Sequence, residues 1–107
     1  MSTTAEHALQ DQCVLVTGAT SGLGRAIALQ LARDGADVIV HGRDAARGAD
    51  AVAEISAVGC RARFVAADLS NPEDLQRLVR EAGDIDVLVN NAGFSVFGAT
   101  ADLAVDR

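Results

Sequence analysis

Tyrosine and lysine are absent from this 107-residue sequence, and all nine basic residues are arginine. The chain thus has no phenol and no ammonium side chain to carry a proton. Cysteine occurs only at Cys13 and Cys60, without a Cys-x-x-Cys pair or a Cys/His cluster. That excludes a zinc-type site and reads as two small buried thiols. Basic residues are outnumbered by acidic ones, and a net charge of −6 argues against a nonspecific nucleic-acid surface, which needs a basic face. No apolar run approaches membrane-spanning length. The polar start, residues 1–12, lacks the basic end and apolar middle of a secretory signal. A cytoplasmic protein without membrane contacts is the expectation. His7 falls in this start and takes no role. There are no internal repeats and no low-complexity segments.

What is present is globular: half of the residues are hydrophobic and 22% are charged. The length suits one domain. Val14, Leu15 and Val16 make an apolar run suited to a strand buried on both faces of a parallel sheet. It breaks at Thr17-Gly18, and glycines follow at Gly22 and Gly24. An amphipathic pattern starts at once, with Leu23, Ile27 and Leu31 on one face and Ala28 and Ala32 beside them. Strand, glycine loop and helix N-terminus form a recipe for phosphate binding. The first-turn N–H groups lack partners, and the helix dipole is positive there.

The rest of the chain repeats this alternation. Gly35 is expected to end the first helix. Strands are expected over 36–41, 61–67 and 86–89, and a helix over 45–58 with Ala49, Val52, Ala53 and Ser56 on one face. Asn71, Pro72, Glu73 and Asp74 start another helix, with an N-cap, a first-turn proline and acids at the positive dipole end. Leu75, Leu78, Val79 and Ala82 supply its stripe, and Gly83 closes it. A loop with Phe94, Phe97 and Gly98 leads to a helix beginning near Ala101. Alternation of this kind predicts an α/β fold, a Rossmann-type doubly wound parallel sheet of strand order 3-2-1-4. Its cofactor crevice would lie at the strands' C-terminal ends, where 17–24, 41–43, 68–69 and 90–93 converge.

Those motifs together resemble the N-terminal half of a short-chain dehydrogenase/reductase. The resemblance rests on Thr17-Gly18-Ala19-Thr20-Ser21-Gly22-Leu23-Gly24, then Asp68-Leu69, then Asn90-Asn91-Ala92-Gly93. It divides the chain into a flexible arm, 1–11, and a partial NAD(P)-binding Rossmann domain, 12–107, truncated before the second half of its sheet. It implies hydride transfer between nicotinamide and a carbonyl or alcohol carbon. It also implies a homo-oligomer for the full-length protein. Gly18, Ala19, Thr20, Ser21 and Leu23 would meet the adenosine ribose and phosphates, and Gly22 and Gly24 would permit close approach. Asp68 would accept from the adenine amino group beside the Leu69 backbone; the alternative is a turn-capping or solvated acid. Asn90, Ala92 and Gly93 would line the ribose side, and Asn91 would bind cofactor or brace the strand ends. Turn residues only is the other reading of the two asparagines.

Cofactor choice turns on the end of the second strand. An acid there binds the ribose 2′-hydroxyl, and a basic residue takes a 2′-phosphate. Gly42 stands at the acid's position and Arg43 follows, which favours NADP(H). NAD(H) stays open, because Asp44 could pair with Arg43 and Ser21 stands where some NADP-preferring relatives carry a basic residue. The family's tyrosine and lysine have no counterpart here, so no catalytic residue is assigned and the chain by itself is expected to be inactive. A non-catalytic dinucleotide-binding or redox-sensing module, or a half-protein completed by another chain, are the alternatives. Substrate identity is not legible.

Overall fold

An unbroken apolar run is stable where both of its faces are covered, and β1 (Cys13–Val16) lies inside the sheet. The computed structural model describes residues 9–91. Within them follow α1 (Gly22–Arg33), β2 (Asp37–Gly42), α2 (Ala45–Ser56), β3 (Ala62–Ala66), α3 (Pro72–Ala82) and β4 (Val87–Val89). The strands are parallel in the order β3-β2-β1-β4. The expected doubly wound architecture is the observed one. Residues 92–107, with Ala92, Gly93, Phe94, Phe97, Gly98 and the helix expected near Ala101, lie outside the described residues.

Alternation along the strands builds two cores. Val14, Val16, Val38 and Val40 face α1 and α2, packing on Ala28, Ala32, Ala51 and Ile55. Leu15, Ile39 and Val65 face the other way, onto Leu75, Leu78 and Ala82 of α3. Each large side chain fully buried this way contributes roughly 1.5–3 kcal/mol.

The stripes of two helices sit one residue from where the large apolar side chains place them. In α1 the buried line is Gly24, Ala28 and Ala32, whereas Leu23 is 69% exposed. In α2 it is Gly48, Ala51 and Ile55, and Ala49, Ala53 and Ser56 are exposed. The reason is close approach. A Cβ on Gly48 would run into the Phe64 ring, so the smallest residue takes the tightest contact. Helix α3 follows its expected stripe except at exposed Val79. Both cysteines are half-buried free thiols, and burial raises the pKa of each, which leaves them weak nucleophiles.

At the start of the described chain, the Leu9 N–H donates to the Asp34 carbonyl at 2.9 Å and its side chain packs on the α1–α2 core. Gly35, at φ 102°, turns the chain out of α1 in the left-handed region, one residue past the Asp34 cap.

Candidate functional site

All four strands point their C-terminal ends at one side of the sheet, and a cleft of about 520 Å³ opens there. Gly18, Thr20 and Ser21 line it from the loop after β1, and Gly42, Arg43 and Asp44 from the end of β2. Arg47 comes from α2, and Asp68 and Leu69 from the turn after β3. Of the sequence-derived candidates, Gly18, Thr20, Ser21, Arg43, Asp68 and Leu69 meet at this cleft from three separate loops, whereas Ala19, Gly22, Leu23, Gly24, Asn90 and Asn91 do not line it, and Ala92 and Gly93 lie outside the described residues.

The glycine loop is braced from inside. Gly18 has φ 62° and Gly22 φ 57°, both in the left-handed region that suits glycine. The Gly18 N–H donates to His41 Nδ1 at 3.0 Å, and the Ala19 N–H donates to the His41 carbonyl at 2.8 Å. These two amides are thus engaged within the protein, and Ala19 is fully buried. On its other side the Gly18 carbonyl accepts from Asn91 Nδ2 at 3.3 Å. A Cβ on Gly24 would strike that same carbonyl and Asn91, so Gly24 serves the closure of α1 on its own loop. The Thr17 hydroxyl accepts the Asn91 N–H at 2.8 Å, and Asn90 Oδ1 lies 3.2 Å from it. Both asparagines therefore tie the end of β4 to the loop after β1.

The α1 N-terminus is open. Ser21 is its N-cap in extended backbone, yet its side chain makes no capping bond. The first-turn amides of Gly22, Leu23 and Gly24 precede the first intrahelical bond, from the Arg25 N–H to the Ser21 carbonyl at 3.3 Å. The other two helices are closed: Asp44 accepts from the Ala46 and Arg47 amides, and Asn71 from those of Glu73 and Asp74. Helix α1 also has no acid in its first turn. Among the described residues, the end nearest the cleft keeps its positive dipole and its donors uncompensated.

Arginine at the far wall points to the same chemistry. Asp44 spends its carboxylate on capping α2 and forms no ion pair with Arg43. Neither Arg43 nor Arg47 has an ion-pair partner among the described residues. Arg47 was not legible as a site residue from the sequence; the signal is a second guanidinium four residues after Arg43, at a helix end that favours acids. Gly42 is packed: a Cβ there would press on the Thr20 side chain. Asp68 Oδ1 accepts from the Ser70 N–H at 3.0 Å and its hydroxyl at 2.7 Å. Those bonds, helped by the Arg43 charge, hold the Asp68 carboxyl below its ordinary range. Leu69 packs in the α3 core and also borders the cleft.

The model of the short chain dehydrogenase family matches residues 12–107. The chain belongs to the short-chain dehydrogenase family. It is 44% identical over 87 residues to a 3beta-hydroxysteroid dehydrogenase of Mediterraneibacter gnavus, covering 78% of this chain and 32% of that protein. It is 42% identical over 103 residues to an L-rhamnose 1-dehydrogenase (NAD(P)(+)) of a Sphingomonas species, covering 92% of this chain and 41% of the relative. The solved L-sorbose reductase of Gluconobacter frateurii, complexed with NADPH and L-sorbose, superimposes with a TM-score of 0.78 at 32% identity, over 83% of this chain and 36% of that one. The chain thus spans between 32% and 41% of the length of these short-chain dehydrogenases. Among the described residues no helix is long and apolar enough to cross a membrane, and no cluster of metal-binding side chains occurs.

Proposed function

We propose that residues 12–107 are the dinucleotide-binding part of an NADP(H)-preferring short-chain oxidoreductase of the cytoplasm. Its substrates would be small carbonyl or alcohol compounds, and the full-length protein would be a homo-oligomer. One observation carries the cofactor reading: among the described residues, Arg43 and Arg47 have no carboxylate partner and stand across a cleft from the uncapped N-terminus of α1. Two guanidiniums and a set of open amides fit a ligand with several phosphate groups. The NADPH-complexed sorbose reductase and the NAD(P)-named rhamnose dehydrogenase support a nicotinamide dinucleotide as that ligand.

In this reading the Thr20 and Ser21 backbone and the α1 first turn hold the pyrophosphate, while Arg43 and Arg47 hold a 2′-phosphate. Gly42 contributes by omission, since an acid there would repel that phosphate and crowd Thr20. Asp68, with Oδ2 outside its bonds to Ser70, takes the adenine amino group over the Leu69 backbone. Asn90 and Asn91, with Ala92 and Gly93 beyond the described residues, border the ribose on the nicotinamide side. The bound nicotinamide would supply or receive a hydride. The chain's own share is binding and orientation, because the tyrosine and lysine that the family resemblance implies for proton transfer have no counterpart in these 107 residues.

The test is titration of the full-length protein with NADPH and NADH before and after Arg43→Ala. Loss of NADPH affinity alone supports the assignment, and equal loss for both removes the 2′-phosphate argument. Reading the coding sequence beyond Arg107 decides the chemistry. A serine followed by Tyr-x-x-x-Lys supports an oxidoreductase, and a stop codon supports a dinucleotide-binding module without catalysis.

A further inference from the structure

His41 is 4% exposed and is held at both ring nitrogens. Nε2 lies 2.9 Å from the Ala67 carbonyl, which can only accept, so Nε2 carries the proton. Nδ1 is then the bare nitrogen, and it accepts the Gly18 N–H at 3.0 Å. One neutral tautomer satisfies both contacts. The same residue's carbonyl takes the Ala19 N–H at 2.8 Å. His41 thus grips two successive amides of the glycine loop, at the point where Gly18 bends into the left-handed region and Asn91 holds its carbonyl. Through Ala67 the ring also ties the loop to the end of β3, one residue before Asp68.

We infer that His41 is the positioning residue of the glycine loop, its Nε2-protonated imidazole setting the Gly18 amide so that the Thr20-Ser21 turn and the α1 N-terminus face the phosphates. This role rests on the dinucleotide reading above. It has a chemical consequence. Protonation of the ring turns Nδ1 into a donor opposed to the Gly18 N–H, and it buries a positive charge. Arg43, on the same strand end, opposes that charge. The other charged groups at this cleft are Arg47 and Asp44, from α2 and its cap, and Asp68 after β3. Asp68 Oδ1 is bonded to Ser70 and Asp44 Oδ1 to the α2 amides, and the His41 ring is hydrogen-bonded to neither carboxylate. Acidification therefore releases the loop, and burial moves that event below the ordinary histidine range.

The experiment uses the full-length protein with ADP-ribose as probe, because it carries the pyrophosphate without a 2′-phosphate that titrates near neutrality. Binding is measured by calorimetry across the histidine range for wild type, His41→Asn and His41→Leu. Ring ¹⁵N shifts report the tautomer, and ligand-free melting reports folding. Asparagine keeps an acceptor at the Nδ1 position and does not titrate. The expected results are an Nε2–H tautomer, wild-type binding that weakens as the ring protonates, and H41N binding within about threefold of wild type and level with pH. H41L is expected to lose about tenfold, the size of one hydrogen bond. Wild-type binding with an Nδ1–H tautomer, unchanged affinity in H41L, or an acid limb that persists in H41N overturns the role of His41 alone. If H41L fails to melt cooperatively, H41N and the tautomer decide. Failure of the wild type to bind ADP-ribose overturns the dinucleotide reading and this role with it.

Discussion

Single residues in this molecule act by what they leave unpaired. Arg43 and Arg47 are conspicuous because Asp44, the adjacent acid, is taken by the α2 amides. Arg43→Ala is expected to weaken NADPH binding at least tenfold while NADH changes little, in line with the loss of one or two charge-assisted bonds. Gly24→Ala is expected to destabilise the fold by about 1–3 kcal/mol, because the added methyl meets the Gly18 backbone carbonyl, which has little room to move. Chemical denaturation of the two proteins side by side measures it. His41 also makes stability depend on pH. Its folded pKa lies below 6.5, so between that depressed value and 6.5 the unfolded chain binds more protons. Stability is therefore complete above 6.5 and falls as pH drops from there towards the folded pKa. Asp68, lowered from 3.8, loses its own contribution only below that value, so the two windows separate in a pH series of melts. A flat profile between the two would count against the His41 geometry.

Helix ends show a division of labour at the level of elements. Asn71 and Asp44 close α3 and α2 with two backbone bonds each, whereas Ser21 leaves α1 open at the cleft. Asn71→Ala is expected to cost about 1 kcal/mol, and Ser21→Ala should leave the melting temperature of the unliganded protein unchanged. A comparable loss in both variants would mean that Ser21 caps α1 after all. Long-range arginine bonds add a second layer. Arg25 joins Glu54 of α2 at 2.7 Å and reaches the Thr20 carbonyl, and Arg77 on α3 holds the Ala66 carbonyl at 2.6 Å. None of these three bonds follows from helical or strand periodicity, which constrains neighbours three or four residues apart and is silent on partners in other elements.

The sheet as a whole is covered unequally. Helices α1 and α2 cover one face, while α3 is the only described helix on the other, and Val79 is 44% exposed beside a small apolar opening reaching Leu15, Leu78 and Leu88. Among the described residues β4 pairs only with β1, which leaves the backbone of its other edge unpaired. The 107-residue polypeptide expressed by itself is expected to melt broadly and to associate as its concentration rises. Calorimetry over a dilution series checks this, and a sharp, concentration-independent transition would refute it.

Much of this was legible in the letters alone. Strand order, the helix-ending glycines Gly35 and Gly83 and the meeting of three loops at one sheet edge follow from periodicity, turn chemistry and handed crossovers, which are local rules. The buried lines of α1 and α2 were not, because glycine and alanine leave no hydrophobic mark and are recognised only where a neighbour such as Phe64 needs the space. The state of His41, the diversion of Asp44 to a cap and the place of Arg47 were likewise out of reach. The ring's state depends on a carbonyl and an amide from other segments, and Arg47's place on where α2 borders the cleft, which packing in three dimensions settles. The Asp44 cap is local, two and three residues along, and competes with the Arg43 pairing that adjacency alone suggests.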